Sequence, residues 1–246
     1  MDFFKIGTDN ATGSTWSRVE NYVKQERPIQ PVKKIVIKGA IEVVFKRSDV
    51  PHMVVAAESS DALESVYTSF KGGKLVIEQE MVNIIPGTSG SFTQGNNVFH
   101  GGVGQIIMGD MTISGVKILT NKAIGRVIVG IALPEAPTIS IKGSGDATLI
   151  DLDQADLKLK IQGSGDIAAS GKVELLEVEI SGSGDVDASQ LLADQAELTV
   201  SGSGEIDALV RNDVHASVLG SGDIVVRGNP VTRKSRTLGT GKIKFR

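Results

Sequence analysis

Five acidic residues recur at one place in a repeated motif. Asp146, Asp166, Asp185, Glu205 and Asp223 each follow a Gly-Ser-Gly triplet. If the copies stack, their carboxylates form a column, and such a column has three possible chemistries. Paired carboxylates divide acid and base roles in glycan cleavage, as in pectin-degrading β-helix enzymes. Clustered oxygens can hold calcium. A carboxylate just after a tight bend can also accept a bond from a nearby backbone N–H. The acid recurs at five successive copies, which is what a structural role requires, whereas a catalytic site is one constellation. The calcium-binding β-roll has a nine-residue period. The period here is about twice that, with no second motif in each copy. Carboxylates stacked about 4.8 Å apart in water repel by roughly 0.9 kcal/mol before screening, which hydrogen bonds can offset.

Other candidate chemistry is sparse. His52, His100 and His215 are far apart, and none has a partner at a metal-ligand spacing such as H-x-x-x-H. His215 falls on an outward position. Ser144, Ser164, Ser183, Ser203 and Ser221 recur within the triplets, and no G-x-S-x-G nucleophile elbow is present. The glycines at 101–104 are not followed by a helical pattern, so a phosphate loop is not indicated. One Trp and two Tyr offer little sugar stacking. These residues call for no catalytic group, cofactor or metal.

The elements that position the acids are legible from the same motif. Its copies are Gly143-Ser144-Gly145-Asp146, Gly163-Ser164-Gly165-Asp166, Gly182-Ser183-Gly184-Asp185, Gly202-Ser203-Gly204-Glu205, Gly220-Ser221-Gly222-Asp223 and Gly239-Thr240-Gly241-Lys242. Their first glycines lie 20, 19, 20, 18 and 19 residues apart, the signature of a repeat architecture. Apolar residues alternate on both sides of each corner, with Ile161 and Leu159 before one and Ile167 and Ala169 after it. Each copy is therefore strand, corner, strand. A glycine at the corner permits positive φ.

The flanks recur in the same order, so equivalent strands stack in parallel and need a long return path. The variable stretch after each second strand supplies it. The result is an all-β, right-handed parallel β-helix, its hand following the crossover rule. Six rungs make a column about 29 Å tall.

The rest of the chain is less regular. Residues 1–31 read as a tail or a short helix over about Thr15 to Gln25. Residues 32–133 read as an N-terminal β part, with a Gly/Asn-rich excursion at 83–116, and 138–246 as the regular repeats. Lys34 to Phe45 looks like a degenerate rung with Gly39-Ala40 at its corner. Met53 to Glu58, Leu75 to Gln79 and Arg126 to Leu133 read as strands, and Ala62 to Phe70 as helix or strand. The 246 residues carry a net charge of −3, which leaves no basic footprint for nucleic acid. Cysteine is absent, excluding disulfides and thiol catalysis, and no apolar run is long enough for a membrane span.

Three features together carry a family resemblance. Ile37 to Val43 (IKGAIEV) precedes a Gly-Gly turn into Lys74-Leu75-Val76-Ile77. A strand then ends in Leu133-Pro134, and the serial Ile-x-Gly-Ser-Gly-Asp repeats follow. Over roughly 28–246 this resembles the "putative auto-transporter adhesin, head GIN domain" family. The resemblance implies a β-helical, extracytoplasmic bacterial protein with an adhesion role and no catalytic residues. The chain as written opens without a secretory signal, which would place it in the cytoplasm if Met1 is the native start.

The expectation is a non-enzymatic binding module for a surface ligand, protein or glycan, existing as a monomer or small homo-oligomer. The alternatives are a carbohydrate-active β-helix enzyme and a self-assembling scaffold.

Overall fold

The computed structural model describes residues 19, 21–79, 91–94, 97–100, 111–113, 116–118 and 125–246. Met1–Gln79 with Gly125–Arg246 form one compact unit, and Glu80–Ile124 form a second. Strands are numbered in chain order: β1 (Val23–Arg27), β2 (Lys34–Gly39), β3 (Glu42–Arg47), β4 (His52–Ala57), β5 (Val66–Lys71) and β6 (Lys74–Gln79), with helix α1 (Ser60–Glu64) before β5. In the second unit β7 (Ser91–Gln94) pairs antiparallel with β8 (Asn97–His100), and β9 (Met111–Ile113) with β10 (Val116–Ile118). The rest of the expected 83–116 excursion lies outside the described residues.

The first unit resumes with β11 (Val127–Leu133) and β12 (Thr138–Gly143). The long strands β13 (Asp146–Gly163), β14 (Ile167–Gly182), β15 (Val186–Gly202) and β16 (Glu205–Gly220) follow, then β17 (Asp223–Arg227), β18 (Thr232–Gly239) and β19 (Lys242–Phe245). From β12 onward the neighbours pair in parallel with corner over corner: Gly143↔Gly163, Gly163↔Gly182, Gly182↔Gly202, Gly202↔Gly220 and Gly220↔Gly239. This is a β-solenoid of about five turns.

Alternation sends one residue in two inward. Ile141, Ile161, Ile180, Val200 and Val218 form one interior column, continued below by Ile37 and Ile77, all buried. Fully burying such a side chain contributes about 1.5–3 kcal/mol, so the stacked columns supply most of the drive for coiling.

The corners explain why both glycines of each triplet are needed. Gly163 has φ +140°, a conformation that side chains rarely adopt. A Cβ there would also stand 2.1 Å from the carbonyl oxygen of Gly143. At Gly165 the constraint is contact: a Cβ would lie 1.9 Å from the Gly145 oxygen and 3.0 Å from Cγ2 of Ile141. Positive φ, the reason expected from sequence, holds for the first glycine. Backbone-to-backbone packing holds for both. The Ser164 N–H donates to the Gly143 oxygen at 2.9 Å, and Ser183 and Ser203 repeat that bond on Gly163 and Gly182.

The N-terminal part joins the column out of chain order. β2 and β3 form a rung whose Gly39 stands level with Gly143 and Glu42 with Asp146. β6 and β11 flank that rung on its other side, with Glu78 level with Lys38 and Ile128 with Glu42. Beyond them β5 and β4 run antiparallel. The chain thus builds the β2–β3 rung, continues away from the repeats, and crosses back over that rung to start β12. The crossing segment is held by Gln154, whose Oε1 accepts from the Ala136 N–H at 2.8 Å and whose Nε2 donates to the Ala136 oxygen at 3.0 Å.

The helix expected over about Thr15 to Gln25 is corrected where it is described. Val23–Arg27 is strand β1, paired antiparallel with β4, because the exposed edge of β4 offers it ladder hydrogen bonds. Ala62 to Phe70 divides between α1, N-capped by Ser59, and β5. At the far end Arg233 lies 5.0 Å over the ring of Phe245, which is partly buried against the core beside Val226.

Gly165→Ala tests the corner. Close contact implies a loss of about 3 kcal/mol, the upper end of overpacking costs. Chemical denaturation that leaves the midpoint unchanged would show that successive corners do not touch.

Candidate functional site

The corner acids lie one above another where each Gly-Ser-Gly triplet passes into the following strand, Asp146, Glu205 and Asp223 as its first residue and Asp166 and Asp185 just before it. Oδ1 of Asp146 accepts from the Asp166 N–H at 3.1 Å, and Oδ1 of Asp166 from the Asp185 N–H at 2.9 Å. Oδ1 of Asp185 accepts from the Glu205 N–H at 2.8 Å, and Oδ1 of Asp223 from the Lys242 N–H at 2.8 Å. Each aspartate therefore bonds the backbone of the next rung rather than its own turn. Glu205 is one methylene longer, and there the pattern changes: the Asp223 N–H donates to the Gly204 oxygen at 3.1 Å.

The column extends further than the triplets show. Glu42 is level with Asp146 and only 9% exposed, and its carboxylate receives both Nε and Nη2 of Arg126 at 3.1 and 2.5 Å. The signal was present in the sequence, since Glu42 stands three residues after Gly39 as Asp146 does after Gly143. At the other end Lys242 occupies the acid's place, and Lys244 Nζ lies 3.1 Å from Asp223 Oδ2. Cations therefore sit at both ends of the acid column.

The ends differ electrostatically. Partial burial pushes the Asp146 carboxyl above its ordinary value, with repulsion from Asp166 and Glu42 adding to the rise and the bond from the Asp166 N–H opposing it. Asp223 is held below its ordinary value, first by the hydrogen bond from Lys244 and then by the N–H of Lys242.

The remaining sequence candidates do not converge. His52 Nε2 lies 3.9 Å from Glu26. His100 falls in β8 of the second unit. His215 is exposed between Glu197 and Lys234, at the rim of a shallow depression of about 240 Å³ that Gln195 and Asp213 also line. Among the described residues no group of three or more His, Cys, Asp or Glu is arranged to hold a metal ion. Ser221 Oγ accepts from Thr240 Oγ1 at 3.0 Å. Among the described residues no helix is long and apolar enough to cross a membrane.

The family described as "putative auto-transporter adhesin, head GIN domain" matches residues 32–230. Among solved structures, a "putative adhesin" from Bacteroides fragilis NCTC 9343 superposes with a TM-score of 0.61 at 17% identity, covering 92% of this chain and 98% of that one. A "putative lipid binding protein" from Parabacteroides distasonis ATCC 8503 has a TM-score of 0.52 at 19% identity, covering 92% and 97%. At these identities the likeness is one of fold. No match was found among curated proteins.

The two column ends predict opposite pH effects. The raised Asp146 favours its protonated form in the folded state, so it costs stability as pH rises through its folded value. Asp146→Asn should therefore stabilise at pH 7, and the gain should vanish below the ordinary carboxylate range. The lowered Asp223 contributes stability above its unfolded value and loses it on acidification, so Asp223→Asn should destabilise at pH 7 only. Thermal unfolding of both variants at pH 3 and pH 7 measures this, and equal shifts at the two pH values would contradict it.

Proposed function

We propose that this chain, which belongs to the "putative auto-transporter adhesin, head GIN domain" family, is a non-catalytic binding module that presents flat sheet faces to a surface ligand. The observation that carries this reading is the engagement of the corner acids. The carboxylates of Asp146, Asp166, Asp185 and Asp223 accept backbone N–H groups of the following rung. A carboxylate committed to holding two rungs together is poorly placed to relay a proton to a substrate. In this reading Gly143, Gly163, Gly182, Gly202 and Gly220, with Gly145, Gly165, Gly184, Gly204 and Gly222, have a structural role as well.

The repeats at 138–246 form the platform, and the parts of the N-terminal β region at 32–79 and 125–133 close one end of it. Lys234, Arg236, Lys242 and Lys244 on the last strands place like charges where two columns would stack, which favours a monomer or small oligomer. One structural neighbour bears a lipid-binding description. The coil interior here is filled by Ile, Val, Leu and Ala side chains with Phe45 and Met53, which argues against a lipid held inside it.

Incubation with polygalacturonate tests the reading against a β-helix enzyme. The folded chain should release no unsaturated uronate or reducing ends above a buffer blank, and Asp166→Asn should behave identically. Turnover by the wild type that Asp166→Asn abolishes would overturn the proposal.

A further inference from the structure

The sheet face that precedes the corners carries a lysine array that is absent from any single motif. Four neighbouring strands, β6, β2, β12 and the Leu157–Gly163 part of β13, run in parallel register. Their outward positions read Lys74, Val76 and Glu78, then Lys34, Val36 and Lys38, then Thr138, Ser140 and Lys142, then Lys158, Lys160 and Gln162. Six lysines and one glutamate thus share a patch about 14 Å on a side, from strand spacings of about 4.8 Å and side-chain repeats of about 6.7 Å.

The floor between them is buried although it faces outward: Val36 is 5% exposed and Ser140 2%. Long lysine stems lying over a sheet produce such burial. Some of the charge is compensated. Lys38 pairs with Glu78 at 2.9 Å, and Lys158 and Lys160 pair with Glu177 and Glu179 on β14. Among the described residues no acid lies within ion-pair distance of Lys34, Lys74 or Lys142, and Lys71 on β5 stands level with Lys74. Burial holds Lys34 below its ordinary value, and Lys160, Lys74, Lys142 and Lys158 lower it further. A chain of net charge −3 therefore concentrates uncompensated positive charge on one flat face.

We propose that this face binds an acidic polysaccharide, with Lys34, Lys74 and Lys142 as its principal contacts. The inference rests on the reading of the chain as a binding module and names its ligand class. Charge complementarity selects a polyanion. The floor favours an extended glycan over a bilayer, because within the four strands its apolar members, Val36 and Val76, are buried and half-buried, and the exposed aromatics nearby, Tyr67 and Phe70, lie on β5 at its edge. A glycan crossing the strands would meet an outward side chain about every 4.8 Å, close to the rise of one sugar unit. Glu177 and Glu179 bound the patch on one side and Glu78 at a corner, which sets the track such a chain would follow.

Biosensor binding to immobilised heparin and polygalacturonate at 0.15 M salt tests this. The wild type should bind at least one of the two, more weakly as salt rises. The triple variant Lys34→Gln, Lys74→Gln, Lys142→Gln should lose at least tenfold in affinity. A control with the same change in charge, Lys172→Gln, Arg211→Gln, Lys234→Gln, should keep wild-type affinity, and circular dichroism should show that both variants fold. Equal loss in the two variants, full binding by the triple variant, or binding only to phosphatidylglycerol vesicles would each overturn the site while leaving a non-catalytic binding module standing. Absence of binding to either glycan would also overturn it. Cleavage of the bound polygalacturonate would instead defeat the broader reading.

Discussion

A side chain cannot fit between the Gly145 oxygen and Cα of Gly165, where a Cβ would lie 1.9 Å from that oxygen. The same distance is 2.1 Å at Gly184 over Gly165 and at Gly204 over Gly184, 2.3 Å at Gly222 over Gly204 and 2.0 Å at Gly241 over Gly222. The corners are therefore backbone packed on backbone. Everything else in the column follows from that spacing. The Ile and Val residues two before each corner are pressed together, the serine amides reach the glycine oxygens below, and each aspartate reaches the amide of the next rung. Side-chain burial provides the energy, while the corner contact fixes which residues stand level.

That register explains what was legible in the sequence. The period of the triplets and the alternation around them determine strand, corner and parallel stacking, and the rung at Lys34 to Phe45 is recognisable by its apolar spacing alone. Two features were not legible. The rung order is one: β2 and β3 lie between β6–β11 and β12–β13 although they come first in the chain, and the apolar alternation of a strand does not say which neighbour it will pair with. The acceptor's partner is the other. An aspartate after a bend reads as serving its own turn, and only the stacked rung shows that the donor is about 20 residues away, as in Asp166 N–H to Asp146.

Charge is partitioned by the same geometry. Because equivalent residues stack, a residue type repeated at one position becomes a column, and the acids after the corners form one that ends on Arg126 at Glu42 and on Lys242 and Lys244 at Asp223. On the strands before the corners the outward positions change from lysine at the β6 to β13 end to Glu177 and Glu179 on β14, to Glu197, Thr199 and Ser201 on β15, to His215, Ser217 and Leu219 on β16, and back to Lys234 and Arg236 on β18. Within their own repeats Lys142 and Lys160 are ordinary outward polar positions. They join an array only when strands drawn from Lys34 to Lys160 of the chain are set side by side. A solenoid face is thus assembled from distant segments, and its charge pattern is invisible to any window of one repeat.

Successive corners are in direct backbone contact, and amide hydrogen exchange at Ser164, Ser183 and Ser203 reads that contact. These residues sit in exposed turns, which ordinarily exchange fast. Their amides, bonded at 2.8–2.9 Å to the glycine oxygens of the preceding corner, should exchange as slowly as interior strand amides such as Ile161 and Ile180. Exchange at the rate of free turns, with the interior strands still protected, would show corners standing apart and contradict the account.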